Sequence, residues 1–203
     1  MNRLIAATVV ASVFVTPAVA AEFGDPAKAE GIANQLCTAC HGADGNSLLP
    51  LNPRLAGQHP EYLFKQLNEF KSGRRNNAVM TGMVAGLSED DMRNLAAYYS
   101  AQKPAETAAK DKDLVAQGRK LFRGGNLASS VMACAGCHSP NGAGIPSQYP
   151  RLAGQHPEYI VAQLKSFRAG ERANDSNNMM RKVAARLTDV EIAAVAEYLS
   201  GLR

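Results

Sequence analysis

Two short segments bring together residue types that bind a metal-containing group. Each is a C-x-x-C-H motif: Cys37, Cys40 and His41 in the first, Cys134, Cys137 and His138 in the second. Two thiols on one helical turn can each add to one vinyl group of a single haem, and the adjacent histidine then lies under the iron. The motifs use all four cysteines of the chain. They predict two covalently bound haem c groups, with the two histidines as axial ligands.

Paired cysteines have other uses in proteins. Thiol–disulfide motifs belong to βαβ folds, and no such pattern is present here. A zinc site shared by the two pairs would need ligands much further apart in sequence than is usual in short zinc modules. Plain structural disulfides remain an alternative for a secreted chain.

The chain contains an internal duplication. The ten residues from Pro53 to Tyr62 recur letter for letter from Pro150 to Tyr159, an offset of 97, and the C-x-x-C-H motifs share that offset. Repetition of this kind indicates one structural module used twice. We expect domains at 21–103 and 114–203, joined by a linker at 104–113 that is poor in large apolar residues.

Both copies predict helices. Asp25-Pro26, Pro60 and Pro157 are typical helix starts, and Ser88 with Asp91 forms a capping-box pattern. Apolar residues follow at helical spacing, whereas no alternating strand pattern occurs. The segments between helices are long, polar and rich in glycine. We therefore expect an all-α fold in which a large apolar group fills the middle of each module.

The distal ligands of the two irons are sought among the methionines and the remaining histidines. Met80 and Met180 correspond in the repeat at positions that read as polar loops, and we predict that they are the ligands. His59 and His156 are interpreted as helix caps or surface residues. Asn77 and Asn177 each precede the ligand methionine by three residues, where a hydrogen bond could tune the iron; simple loop polarity explains them equally well.

The beginning of the chain predicts export. Residues 1–20 read as a signal peptide, with Arg3, a short apolar run and an Ala-Val-Ala cleavage pattern. We therefore expect a periplasmic protein. Residues 21–103 carry eight basic and nine acidic side chains, and residues 104–203 carry thirteen and nine. This uneven charge orients the molecule on charged partners, and the lack of a long basic run argues against binding of nucleic acid.

These motifs resemble those of the dihaem cytochromes c4, which are two cytochrome c domains in tandem. The resemblance covers the whole mature chain and includes Met80-Thr-Gly-Met83 and the repeated Pro-Arg-Leu-Ala-Gly-Gln. It implies two domains that face each other across a pseudo-two-fold interface. It also implies that the carbonyls of Pro53 and Pro150 accept a hydrogen bond from the haem histidines. Gly31 and Gly118 would lie where the first and last helices of each domain cross.

Members of this family carry electrons in the periplasm, commonly from the quinol-oxidising bc1 complex toward a terminal oxidase, and some associate loosely with the membrane. We therefore expect a monomeric electron carrier. The alternative is a dihaem electron-transfer subunit of an enzyme complex, such as flavocytochrome c sulfide dehydrogenase. A dihaem enzyme in its own right, such as a peroxidase, would need an open iron, and the matched methionines argue against that.

Overall fold

The computed structural model describes residues 23–202. The predicted signal peptide, 1–20, lies outside them. The first half contains α1 (Pro26–Ile32), a π-helical turn (Ala33–Cys37), α2 (Thr38–His41), α3 (Pro60–Lys71), α4 (Ala78–Val84) and α5 (Glu89–Ser100). The second half contains α6 (Lys112–Gly124), α7 (Ala135–His138), α8 (Pro157–Ala169), a 3₁₀ turn (Ser176–Asn178), α9 (Met179–Ala184) and α10 (Asp189–Ser200).

The predicted all-α fold is confirmed. Within residues 23–202, β-type pairing is limited to two isolated bridges, both in the second half. No helix in that range is long and apolar enough to cross a bilayer. Helix α6 begins at Lys112, inside the segment that composition predicts as a linker.

Helices begin where the local sequence predicts. Asp25 caps α1 by accepting a hydrogen bond from the N–H of Ala27 at 3.0 Å, and a proline opens α1, α3 and α8. Ser88 and Asp91 form a complete capping box at α5, and α10 begins with the same device. The residue that ends α8 is Gly170, whose φ of 77° is a left-handed value that glycine adopts without strain.

Each half has its own apolar core, built where its first helix crosses its last. In the first half α1 packs against α5, and α3 covers the pair; in the second half α6, α10 and α8 do the same. The predicted apolar stripes supply these cores: Leu63, Phe70, Met92, Leu95 and Tyr99 in the first, Ile160, Leu164, Phe167, Ile192, Val195 and Leu199 in the second.

Only one of the two predicted crossing glycines lies at a helix crossing. A Cβ atom on Gly118 would lie 2.0 Å from the carbonyl oxygen of Ala194, so α6 and α10 are in backbone contact. Gly31 is exposed and would have nothing within 4 Å of a Cβ, so the prediction for this residue was wrong. The fully buried residue of α1 is instead Ala29, because the face of α1 that meets α5 lies two residues away from the glycine.

The two halves meet through the duplicated segment. The side-chain amide of Gln155 accepts from the N–H of Arg54 at 2.9 Å and donates to its carbonyl at 3.0 Å. Gln58 makes the same pair of bonds to the backbone of Arg151, at 2.8 and 2.9 Å. A contact in which each side offers the same residues to the other is the signature of a two-fold axis. The expected pseudo-two-fold arrangement of the halves is therefore present.

The connecting segment lies against both halves. Asn46 of the first half donates to the carbonyl of Lys103 at 3.0 Å and accepts from the N–H of Ala105 at 2.7 Å. Further along, the carboxylate of Glu197 accepts hydrogen bonds from the backbone N–H groups of Lys110 and Asp111. These contacts fix the path of the chain between the halves.

Candidate functional site

The cysteine motifs lie on short helices at the edge of each core. The π-helical turn ends at Cys37, and α2 carries Cys40 and His41. In the second half Cys134 caps α7, and Cys137 and His138 lie within it. Both histidines are buried, with exposed fractions of 8% and 6%. Each motif therefore presents two thiols and one imidazole from a single turn of helix.

The prolines expected to hold these imidazoles lie beside them. The carbonyl of Pro53 accepts a hydrogen bond from Nδ1 of His41 at 2.9 Å, and Pro150 does the same for His138 at 3.0 Å. Burial lowers the pKa of both imidazoles below its ordinary value, and the carbonyl only partly offsets this. The rings are therefore neutral at pH 7. With the proton on Nδ1, the lone pair of Nε2 is available to a metal.

The two candidate distal ligands border the same cores as the cysteines. Met80 and Cys37 both pack against the first core, and Met180 and Cys134 both pack against the second. The methionines do not lie in loops, as their polar surroundings had suggested, but in the first turns of α4 and α9. These helices are too short to show an apolar period in the sequence, because each spans only about two turns.

The two asparagines are placed differently from each other. The side chain of Asn77 caps α4 by accepting from the N–H of Met80 at 2.9 Å. Asn177 lies in the 3₁₀ turn with a left-handed φ of 54°, and the residue that caps α9 is Asn178. In the second half the carboxylate of Asp175 holds this turn, through bonds from the N–H and Nε of Arg181. The offset between the copies is 97 at the histidines and 100 at the methionines, so three extra residues precede Met180 in the second half.

The remaining histidines stand at the starts of α3 and α8, and one of them contacts the other half. Both are half-buried and stand directly before α3 and α8, without capping those helices through their side chains. Nε2 of His156 lies 2.8 Å from the carbonyl of Ser47 in the other half. Nε2 of His59 is buried and has no hydrogen-bond partner within residues 23–202. Both histidines are the N-cap residues of their helices, as the interpretation as helix caps predicts, although their side chains make no capping bond. The interpretation of His156 as a surface residue is wrong, because its ring contacts the other half.

A second set of interface residues escaped the sequence analysis. Arg75 donates to Tyr159 and Gln163 of the opposite half, at 3.0 and 2.9 Å. Its counterpart Arg172 donates to Tyr62 and Gln66, at 3.1 and 3.2 Å. Both arginines are buried. The repeat aligns every member of this network with another member, which was the available signal, but arginine and glutamine at such positions ordinarily indicate solvent-exposed faces.

The donor set fits a covalently attached haem in each half. The four cysteines form two separate pairs beside two different cores, so the structure does not bring them together as one shared zinc site. Within residues 23–202 no three His, Cys, Asp or Glu side chains are grouped so as to hold a metal ion. Paired thiols, a neutral imidazole and a thioether at one core are the ligands of a c-type haem. Fold and site together define a two-domain c-type cytochrome.

Comparison with known proteins gives the family. The family model for cytochrome c matches residues 26–102 and 115–203. Cytochrome c4 of Thiocapsa roseopersicina is 50% identical over 187 residues, which cover 91% of this chain and 96% of the relative. The crystal structure of reduced recombinant cytochrome c4 from Pseudomonas stutzeri superposes with a TM-score of 0.85 at 44% identity, covering 89% of this chain and all of the other. The thiosulfate dehydrogenase electron acceptor of Thiomonas intermedia is 41% identical, covering 81% of this chain and 77% of the relative.

The chain belongs to the cytochrome c4 family. It is an electron carrier, and it carries two covalently bound haem c groups.

Proposed function

We propose that this chain is a periplasmic, monomeric carrier that takes electrons from a quinol-oxidising bc1 complex and delivers them toward a terminal oxidase. The observation that supports the carrier role most directly is the repeated donor set, in which a cysteine and a methionine of each half pack against one core. An iron with both axial positions filled does not readily bind oxygen or peroxide, so it favours electron transfer over catalysis.

The proposed ligands are the same in both halves. Thioether bonds from Cys37 and Cys40 hold the first haem, and bonds from Cys134 and Cys137 hold the second. The axial ligands are His41 and Met80 in the first half, His138 and Met180 in the second. Each haem supplies an iron that changes between ferric and ferrous states and so accepts one electron at a time. Asn77 fixes the helix that presents Met80, whereas Asn177 shapes the turn before α9.

The surfaces beside the two methionines differ in charge. Residues 76–88, which contain α4, have no charged side chain. The corresponding segment, 173–188, contains Asp175, Arg181, Lys182 and Arg186. Asp175 is paired with Arg181, whereas Lys182 and Arg186 are exposed. We propose that an acidic partner docks on the second half. Electron transfer to that partner then slows as the salt concentration rises, because exposed charges are screened.

Optical titration with carbon monoxide tests the ligand set. We expect the parent protein to contain two low-spin haems that ignore carbon monoxide and to show the weak far-red band of methionine-ligated ferric iron. Met80→Ala and Met180→Ala should each open one iron, so that one carbon monoxide binds per chain. The control is Met83→Ala, an exposed methionine of the same helix α4, which should leave both irons closed. A parent protein that binds carbon monoxide would overturn the proposal.

A second candidate function is acceptance of electrons directly from a thiosulfate-oxidising enzyme. The relative from Thiomonas intermedia, described above as an electron acceptor of thiosulfate dehydrogenase, favours it. It belongs to the alternative class, an electron-transfer subunit of an enzyme complex. Reduction rates of the purified protein by quinol with bc1 complex and by thiosulfate with its dehydrogenase discriminate the two. Faster reduction by thiosulfate would replace the respiratory route.

A further inference from the structure

One peptide group in each half connects a haem-binding histidine to the opposite half. The group that joins Pro53 to Arg54 accepts from Nδ1 of His41 at its carbonyl, 2.9 Å away. The N–H of the same group donates to Oε1 of Gln155, also at 2.9 Å. The chain of contacts therefore runs from an imidazole of the first half, through one peptide plane, to a side chain of the second half.

The peptide group that joins Pro150 to Arg151, related to the first by the pseudo-two-fold axis, connects the second half to the first in the same way. The carbonyl of Pro150 accepts from Nδ1 of His138 at 3.0 Å, and the N–H of Arg151 donates to Oε1 of Gln58 at 2.8 Å. A peptide group that accepts at one end and donates at the other is polarised, and each hydrogen bond strengthens its neighbour. The oxygen of the proline carbonyl becomes a better acceptor as a result.

The glutamine amides are held in one orientation. Nε2 of Gln155 donates to the carbonyl of Arg54 at 3.0 Å, so the oxygen of the amide must face the N–H of that residue. The N–H of His156 donates to the same oxygen at 3.1 Å. Gln58 has the equivalent bonds, and both side chains are buried, with exposed fractions of 7% and 9%. These acceptors are therefore fixed before any change at the iron.

We propose that Gln58 and Gln155 are positioning residues, each of which tunes the reduction potential of the haem in the opposite half. A stronger acceptor at Nδ1 makes the imidazole more basic, and a more basic ligand stabilises ferric over ferrous iron. Each glutamine thus lowers the potential across the interface. The inference rests on the proposed function, because it requires His41 and His138 to ligate iron.

Potentials of the two haems in Gln155→Leu and Gln58→Leu proteins test the proposal. Spectroelectrochemical titration should show that Gln155→Leu favours reduction of the first-half haem by about threefold, which is ~28 mV for one electron, while the second-half haem is unchanged. Gln58→Leu should favour reduction of the second-half haem to the same extent and leave the first-half haem unchanged. Met80→His and Met180→His proteins assign the potentials, since loss of the methionine lowers one of them strongly.

A matched control separates tuning from a loosened interface. Tyr159→Phe removes a hydrogen bond between the same two halves, from Arg75, without touching either histidine-linked peptide group. It should shift neither haem selectively. The proposal is overturned if Gln155→Leu shifts the reduction potential of the haem in its own half, of both haems equally, or of neither haem.

A second measurement covers the case in which a leucine variant folds poorly. In Gln155→Asn the side chain is too short to reach Arg54 but remains polar. In the reduced protein, the proton resonance of His41 Nδ1–H should move to lower chemical shift, and that of His138 should stay in place. Unchanged resonances would contradict the proposed polarisation. Binding of carbon monoxide to the iron is a separate readout, so failure of the ligand assignment remains distinguishable.

Discussion

Replacing Gly118 by alanine tests the close crossing that builds the second half. The added Cβ would lie 2.0 Å from the carbonyl oxygen of Ala194 and 2.7 Å from Cβ of Tyr198, where ordinary contacts begin at 3.4 Å. The obstacle is backbone rather than the end of a flexible side chain, so α6 must move away from α10 by more than an ångström. That movement loosens the packing of Phe122 on Tyr198, whose ring centroids are 5.6 Å apart.

The expected loss of stability follows from two opposing effects. Overpacking a well-filled contact costs about 1–3 kcal/mol, and backbone contact places this case at the upper end. Alanine is the better helix former by about 1 kcal/mol. We therefore expect the free energy of unfolding to fall by about 2 kcal/mol. For a domain of this size, that lowers the melting temperature by about 8–16 °C.

Gly31→Ala is the matched control, because Gly31 is an exposed helical glycine with nothing within 4 Å of an added Cβ. It should be neutral or stabilise the protein by up to about 1 kcal/mol. Thermal unfolding of fully haem-loaded proteins, followed by circular dichroism and haem absorbance, measures both changes. The reasoning is refuted if Gly118→Ala is as stable as the parent protein, or if Gly31→Ala is destabilised to the same extent.

Two further predictions concern polar contacts. Burial alone would raise the pKa of Asp175, but the hydrogen bonds from Arg181 outweigh burial and hold the pKa below its ordinary value. The ionised Asp175 carboxylate therefore stabilises the folded protein fully above the unfolded pKa of about 3.9, and this stabilisation is lost as the pH falls through the folded pKa. Between pH 6 and pH 3 the urea midpoint should decline less in Asp175→Asn than in the parent protein. Ser88→Ala removes one side of the capping box with Asp91 and should cost about 1 kcal/mol in the same assay, and an unchanged midpoint would show that the cap is dispensable.

Features set by nearby residues could be predicted from the sequence. The helix starts at Pro26, Pro60 and Pro157 depend on a few adjacent side chains, and so does the thiol spacing in the two motifs. The position of Gly118 was also predicted correctly, but Gly31 was not. Alignment of two glycines between copies does not establish which face of a helix is turned inward, and in α1 that face carries Ala29.

Contacts between the halves could not be predicted, because they depend on how two finished domains meet. The repeat aligns Arg75, Tyr62 and Gln66 with Arg172, Tyr159 and Gln163, but it does not indicate that each arginine donates to the tyrosine and glutamine of the opposite half. A buried guanidinium needs several acceptors at once, and only the assembled interface supplies them. The same holds for His156: it is the N-cap residue of α8, but the contact of its ring with the carbonyl of Ser47 depends on the other half.

The identity of the two copies of the decapeptide has a physical explanation in this interface. In a two-fold contact a residue and its counterpart in the other copy make equivalent bonds, so both positions call for the same residue type. In this segment the constraint is doubled, since Pro53 and Arg54 share the peptide group that bonds both His41 and Gln155. By contrast, residues 76–88 and 173–188, which contain the methionines, differ in charge and in length. Their contact with the other half is one-sided: Asn174 donates to Gln66 and Glu69 of the first half. We therefore expect the two halves to differ at the surfaces that face partners, and to be identical in sequence where each half binds the peptide group next to a histidine of the other.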